Sequence, residues 1–337
     1  MHRSKPEAVW ESSAAWARAT RASLMPLGWL YGAAVSLRNA AFDRGVLSVH
    51  SLGVPTVSIG NLTVGGTGKT PVAAWLARRL AEVGAKPAIL LRGYGDDELL
   101  VHERLNPGIP VVADGDRVRG AAVAKSRGAT VLVLDDGFQH RRVRRDADIV
   151  LLSADRSGPV RSLPAGPWRE PLESLARASI VAVTRKNASP LRARELLSSA
   201  LRYAPGAAGV VLHLAADQLR KADDGVADES AVLSGMSVLA ISGIGDPRAF
   251  QSQLRNAGAR VQPAVFPDHH AFSAGEAATL AARVKGQARA VCTLKDAVKL
   301  ASIWPHDGPP LWYLSQRVLL ESGGDAIDVI IRRLTST

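Results

Sequence analysis

Short apolar runs punctuate this chain. Val54 to Ile59, Ala88 to Leu91, Thr130 to Leu134, Ile149 to Leu152 and Ile180 to Val183 read as strands, and helical patterns separate them. Continuous apolar strands alternating with helices predict a parallel sheet buried on both faces. The second half keeps the style without repeating the sequence. Val238 to Ile241, Arg260 to Val265 and Ala290 to Thr293 are its strands, and each leads into a polar cluster. Asp217 to Ser234, rich in Asp, Ala and Gly, is expected as a surface excursion.

The N-terminal pattern differs. Leu24 to Val35 carries no charge, and Arg21 and Arg38 bracket it. The run is shorter than the ~20 apolar residues a spanning helix needs, and it contains Pro26. Trp10, Trp16 and Trp29 all precede the first expected strand. An interfacial helix with aromatic anchors and flanking arginines accounts for this. So does a helix packed on the protein's own core, and both readings stay open here.

Between these regions lies Val57-Ser-Ile-Gly-Asn-Leu-Thr-Val-Gly-Gly-Thr-Gly-Lys-Thr-Pro71, a strand, a glycine-dense turn, Lys-Thr and a helix expected over Pro71 to Leu80. That arrangement aims backbone N–H groups at phosphate oxygens. Gly65, Gly66, Thr67 and Gly68 would wrap the phosphates, Lys69 would reach the β and γ groups, and the Thr70 hydroxyl would hold Mg²⁺. The strict spacing wants glycine at position 63, where Thr63 stands. An ordinary glycine-rich turn is the plainer alternative. The fold expected is α/β: an N-terminal segment (1–45), a P-loop NTPase-like parallel-sheet domain (46–205), and a smaller α/β domain (206–337).

Composition narrows the partners. The 337 residues suffice for two domains with a substantial core. One cysteine, Cys292, rules out an intrachain disulfide and suits a reducing compartment. The formal charge of +11 favours anionic partners: nucleotides, anionic lipid surfaces or nucleic acid. The polar start lacks the apolar core of a cleavable signal peptide.

Three further clusters could carry chemistry. Asp135-Asp136-Gly-Phe-Gln-His140 follows an apolar strand, where an acid can organise the Mg²⁺ at Thr70. Adjacent acids at a strand end have diverging side chains, and a helix cap or turn is the plainer reading. The following Arg141-Arg142-Val-Arg144-Arg145 run would face phosphates or solvent. Arg92-Gly-Tyr-Gly-Asp96-Asp97-Glu98 stands where an open α/β sheet presents a catalytic base, though three acids also make an ordinary turn. Asp268-His269-His270 lacks further ligands at zinc spacing. One histidine there could orient a carboxylate base, or simply be structural.

Taken in order, these clusters resemble the tetraacyldisaccharide 4′-kinase (lipid A 4′-kinase) family. The residues that carry the resemblance are Gly60-Asn-Leu-Thr-Val-Gly-Gly-Thr-Gly-Lys-Thr-Pro71, Arg92-Gly-Tyr-Gly95, Asp135-Asp-Gly-Phe-Gln-His140, Pro164-Ala-Gly-Pro-Trp-Arg-Glu170, Ile241-Ser-Gly-Ile-Gly-Asp-Pro247, Phe266-Pro-Asp-His-His270 and Thr293-Leu-Lys-Asp-Ala297. The N-terminal Leu24-to-Tyr31 stretch, with Arg38-Asn39 and Asp43-Arg44, looks like the family's membrane-proximal start. The resemblance implies ATP-dependent phosphorylation, with Mg²⁺, of the 4′-hydroxyl of a tetraacyl glucosamine disaccharide 1-phosphate. It implies a peripheral or monotopic place at the cytoplasmic face of the bacterial inner membrane, on an anionic surface. Carried over by motif, Asp96, or its neighbour Asp97, is the catalytic aspartate that acts as base, and His269 or His270 supports it. Thr70, Asp135 and Asp136 fall on the metal side. Arg92, Gln139, His140, Arg169 and Glu170 are substrate-side candidates. The family usually has an insert between Arg-Gly-Tyr-Gly and Gly-Asp-Glu-Pro; here the two run together at Gly95.

Two rivals remain at this stage. A switch ATPase or GTPase often carries a lysine before the Gly-Gly, where Val64 stands, and a guanine signature where this chain has Thr184-Arg185-Lys186-Asn187. A nucleic-acid-binding module is suggested by charge alone. Its basic residues lack aromatic interleaving, so no nucleic acid is expected as partner.

Overall fold

The computed structural model describes residues 9–10, 12–93, 96–156, 158–228, 233–286 and 288–336, apart from the Asp96 side chain. It is a mixed α/β fold with a mostly parallel sheet. The chain divides into two compact units, Lys5–His213 with Val318–Thr337, and Leu214–Arg317.

The larger unit opens with helix α1 (Ala15–Asp43). β1 (Thr56–Asn61), α2 (Lys69–Glu82), β2 (Pro87–Leu91), α3 (Asp96–Leu105), β3 (Val111–Ala113), α4 (Arg117–Ser126), β4 (Val131–Asp135), β5 (Ala147–Ser153), β6 (Ile180–Arg185), α5 (Pro190–Leu201) and β7 (Ala208–Lys221) follow. Its strands lie in the order β3-β2-β4-β1-β5-β6-β7, and each adjacent pair is parallel. All six residues of β1 are buried. Ile59 sits opposite Asp135 on one side and Ile149 on the other. The loop leaving β1 therefore emerges beside the acidic end of β4.

In the smaller unit β8 (Ser237–Ser242), α6 (Pro247–Asn256), β9 (Arg260–Val265), α7 (Ala274–Ala282), β10 (Arg289–Cys292), α8 (Leu294–Leu300) and β11 (Leu311–Ser322) complete the sequence, before α9 (Gly324–Thr335) returns to the larger unit. β8 pairs in parallel with β9 and β10, and β10 with β11. One apolar cluster, around Leu239, Ile241, Leu280 and Tyr313, packs one face; another, around Val238, Phe250, Leu254 and Leu314, packs the other. α7 starts at a reciprocal capping box between Ser273 and Glu276, which satisfies two otherwise unpaired N–H groups.

Several expectations need correction. Asp217 to Lys221 is not excursion but the end of β7. Its polar residues have partners there: the Gln218 N–H donates to Ser315 Oγ, and Asp217 pairs with Arg317. Residues 229–232 of that stretch lie outside the described residues. Asp96-Asp97-Glu98 opens α3 rather than forming a surface turn, a placement the helix dipole favours for acids. α2 begins at Lys69, not Pro71. α1 extends past both bracketing arginines and contains Pro26, and it buries only Ala17, Gly28 and Phe42. Trp16, Leu27, Trp29, Leu30 and Leu37 stay exposed on it. No helix among the described residues is long and apolar enough to cross a membrane.

Candidate active site

The site grows from the end of β1. At Gly60 an added Cβ would lie 2.4 Å from Phe138 Cβ. Only glycine lets the Asp135-to-His140 turn sit this close to the strand that feeds the loop. The loop is pinned at several points. Asn61 Nδ2 donates to Thr67 Oγ1 (2.9 Å), Thr184 Oγ1 to the Thr67 carbonyl (2.8 Å), the Val64 N–H to the Pro167 carbonyl (2.7 Å), and Arg156 Nη1 to the Val64 carbonyl (2.6 Å). It ends at Gly68, whose left-handed backbone (φ 86°) is the N-cap of α2, and no side chain caps that helix end. The first N–H groups of α2 have no partner within the helix, and with the positive end of its dipole they form an anion site.

Two adjacent acids face this helix end and meet different partners. The Thr70 hydroxyl donates to Asp135 Oδ2 at 3.0 Å, and His102 Nε2 lies 2.9 Å from the same oxygen. Asp135 Oδ1 is buried with no hydrogen-bond partner. Arg117 Nη2 donates to the Asp135 carbonyl at 3.2 Å; burial lowers the Arg117 pKa to about 10, with Asp135 and Asp136 pulling the other way. Asp136 has a left-handed backbone (φ 55°). Its carboxylate lies 3.5 Å from Lys69 Nζ and accepts from Arg169 Nη1 at 2.9 Å. Burial alone would raise its pKa, but Lys69 and Arg169 together outweigh burial and hold it below the ordinary value.

The remaining sequence candidates have different surroundings. Gln139 joins the cluster, with Nε2 donating to the Asn61 carbonyl (2.8 Å) and Oε1 accepting from Arg169 (3.4 Å). Glu170 is buried and held by Asn39 Nδ2 (3.0 Å) and Arg177, so it ties α1 to the turn. The His140 pKa is lowered to about 4, by burial first and then by Arg117 and Arg145. Arg92 is exposed at the end of β2. The Asp96 side chain lies outside the described residues, while Asp97 Oδ1 accepts the Glu98 N–H at 3.1 Å. His269 belongs to the smaller unit, where Nε2 lies 3.0 Å from Lys295 Nζ. His270 is engaged by Glu276 (3.0 Å) and stacks on Phe266. The basic run divides: Arg141 pairs with Asp43 and Arg145 with Asp148, and Arg142 and Arg144 are exposed.

His102 and Arg117 were not visible as site residues in the sequence. His102 lies within α3 and Arg117 is the first residue of α4, and only the fold brings them to Asp135.

These residues fit a nucleotide phosphate with a divalent cation. A hydroxyl and a carboxylate stand together, one buried carboxylate oxygen is unpartnered, and a lysine stands beside an uncapped helix end. No group of three or more His, Cys, Asp or Glu surrounds a cation position among the described residues. Mg²⁺ bound with a nucleotide takes one or two protein ligands and completes its shell with phosphate and water.

The model of the LpxK family, tetraacyldisaccharide-1-P 4′-kinase, matches residues 20–98 and 94–335. The chain belongs to this family. The two matched spans share residues 94–98. Curated proteins named tetraacyldisaccharide 4′-kinase are similar over most of the chain. That of Anaeromyxobacter dehalogenans (strain 2CP-C) is 41% identical over 301 residues, covering 80% of this chain and 79% of its own. That of Halorhodospira halophila is 37% identical over 335 residues, covering 93% of each. A crystal structure of LpxK from Aquifex aeolicus, in complex with ATP, superposes with a TM-score of 0.74 at 30% identity, over 94% of this chain and 99% of that one. The mixed α/β fold described above is thus that of a tetraacyldisaccharide-1-P 4′-kinase.

Proposed function

We propose that this chain phosphorylates the 4′-hydroxyl of a tetraacyl glucosamine disaccharide 1-phosphate, using ATP, in lipid A assembly. The observation that carries the reading is the cradle of Lys69, Thr70, Asp135 and Asp136 at the open end of α2, in a chain that matches the family almost from end to end. ATP bound there would supply the γ-phosphoryl group, and a Mg²⁺ held on the Thr70 and Asp135 side would neutralise phosphate charge during transfer. Lys69 and the N–H groups of Gly65 to Thr70 hold the phosphates. Thr70 and Asp135 hold the cation side, and Asp136 keeps Lys69 and Arg169 in place. Arg92, Gln139, His140, Arg169 and Glu170 are the substrate-side candidates.

Asp96 accepts the proton of the sugar hydroxyl as that oxygen bonds to the γ-phosphorus and the bond to the β-phosphate oxygen breaks, leaving the 4′-phosphate and ADP. Asp97 is the weaker candidate because its carboxylate already takes a backbone N–H of its own helix. His269 carries the supporting role assigned to the family's histidine; His270 is occupied by Glu276 and Phe266. We further propose the division of labour expected from sequence: residues 1–45 at the membrane, 46–205 for nucleotide and phosphoryl transfer, and 206–337 as a second α/β domain. The exposed Trp16, Trp29, Leu30 and Leu37 support an interfacial role for α1. Basic residues near an anionic leaflet add about 1 kcal/mol each, which fits a peripheral protein on the cytoplasmic face of the inner membrane. Family membership favours this kinase over a switch ATPase or GTPase.

The test is membrane-reconstituted protein with labelled ATP and a disaccharide acceptor that has or lacks its 4′-hydroxyl. Label should reach only the complete acceptor. Equal labelling of both acceptors, or ATP hydrolysis with no lipid product, would overturn the reading.

A further inference from the structure

His102 is fully buried on α3, the helix that Asp96 opens. Its Nε2 meets Asp135 Oδ2 at 2.9 Å, and the Thr70 hydroxyl meets the same oxygen at 3.0 Å. An ionised carboxylate only accepts, so Nε2 carries the proton and donates. Oδ2 thus receives two donors, as many as its two lone pairs serve. Oδ1, buried and unpartnered, keeps the carboxylate's remaining acceptor capacity.

We propose that His102 is a positioning residue for the cation side of the site: it locks the rotation of the Asp135 carboxylate so that Oδ2 is taken up within the protein and Oδ1 is reserved for a divalent cation or its bound water. The same contact anchors α3 to the end of β4. This hydrogen bond therefore links the helix bearing Asp96 directly to the strand bearing the cation-side acid. Thr70 alone cannot fix the carboxylate, because a hydroxyl rotates freely about its C–O bond. The imidazole is rigid, buried, and held by the packing of a helix.

This inference rests on the reading of Thr70 and Asp135 as the cation pair, and the experiment separates the two. ATP binding is measured by calorimetry in EDTA and across a Mg²⁺ titration, for the wild type, His102→Leu and His102→Gln. Leucine fills the space without a donor. The glutamine amide nitrogen reaches about as far as Nε2. Partners that orient a metal ligand are worth roughly 10–100-fold in metal affinity. His102→Leu should therefore raise the Mg²⁺ midpoint by about tenfold or more, while affinity for ATP in EDTA is unchanged, and His102→Gln should restore most of the loss. A merely structural role would move both affinities together. Wild-type Mg²⁺ dependence retained in His102→Leu would overturn the proposal. A wild type with no Mg²⁺-dependent binding would overturn the cation-pair reading and this inference with it. If His102→Leu does not fold, His102→Asn serves in its place. Its shorter amide stops near the Nδ1 position, so asparagine behaving like glutamine would also overturn the proposal.

Discussion

Asp136→Asn separates two effects that the wild type combines. The change keeps side-chain shape, and asparagine tolerates the left-handed backbone (φ 55°) that aspartate adopts here. What disappears is a negative charge 3.5 Å from Lys69 Nζ and 2.9 Å from Arg169 Nη1. Opposite unit charges 3.5 Å apart attract by roughly 5 kcal/mol at an effective dielectric of about 20. The Asp136 side chain is 27% exposed, so screening and desolvation bring the net value to about 1–2 kcal/mol. Stability should fall by that order, read from denaturant midpoints. The two cations remain, no longer neutralised, so metal-free ATP should bind about 5- to 30-fold more tightly, the same energy expressed as affinity. Turnover should nevertheless fall, because Lys69 and Arg169 lose the group that orients them.

The pH dependence has a definite sign. The folded carboxyl lies below its ordinary 3.8, since Lys69 and Arg169 outweigh the upward push of burial. The stabilisation is complete above the unfolded value and is lost as pH falls through the folded one. Wild-type and Asp136→Asn stability curves should therefore converge on acidification. A variant that binds metal-free ATP more weakly than wild type, or a stability gap that persists at the acid end, would refute the charge-balance reasoning.

Three other outcomes are expected. Gly60→Ala, whose new Cβ would sit 2.4 Å from Phe138 Cβ, should cost about 1–3 kcal/mol by overpacking and lower the thermal midpoint; an unchanged midpoint would show that the turn yields freely. Trp29→Ser with Leu30→Ser, both 68% exposed, should reduce co-sedimentation with anionic vesicles and leave the thermal midpoint unmoved; undiminished sedimentation would count against α1 as the membrane contact. Asp96→Ala should lower kcat by about 10²–10⁴ with little change in ATP affinity, and wild-type turnover in that variant would remove Asp96 from the proton transfer.

The central strands were readable because a parallel strand buried on both faces leaves a continuous apolar run. β6 spans Ile180–Arg185, buried through Thr184, and contains the apolar run Ile180–Val183 that marks it in the sequence. Elements whose polar residues have distant partners were harder to read. Arg21 and Arg38 look like the ends of an apolar helix, yet α1 runs through both. Arg21 donates to the Val9 and Ser12 carbonyls, and Arg38 to the Gln139 carbonyl, so neither marks a helix end. Asp217 and Gln218 look like loop residues until β11 supplies Ser315 and Arg317 opposite them. Local pattern carries no sign of a partner about a hundred residues away.

The two acids of the Asp-Asp-Gly motif show where sequence logic reaches the site and where it stops. Side chains of successive strand residues point to opposite faces, so adjacent acids at a strand end should not share one ligand. Asp135 is the last residue of β4 and turns to Thr70 and His102. Asp136 has left the strand with a positive φ and turns to Lys69 and Arg169. Divergence was therefore legible, because it follows from backbone geometry that any strand end imposes. The partner each acid meets was not, because Arg169 and His102 arrive from elements whose placement depends on the whole sheet. Gly137 allows the split: an added Cβ there would lie 2.7 Å from Leu134 Cβ and 2.8 Å from Ser58 Oγ, so the chain can turn this tightly after Asp136 only without a side chain. The motif is thus one steric solution, in which a glycine lets neighbouring carboxylates turn apart, one to Thr70 and His102 and the other to Lys69 and Arg169.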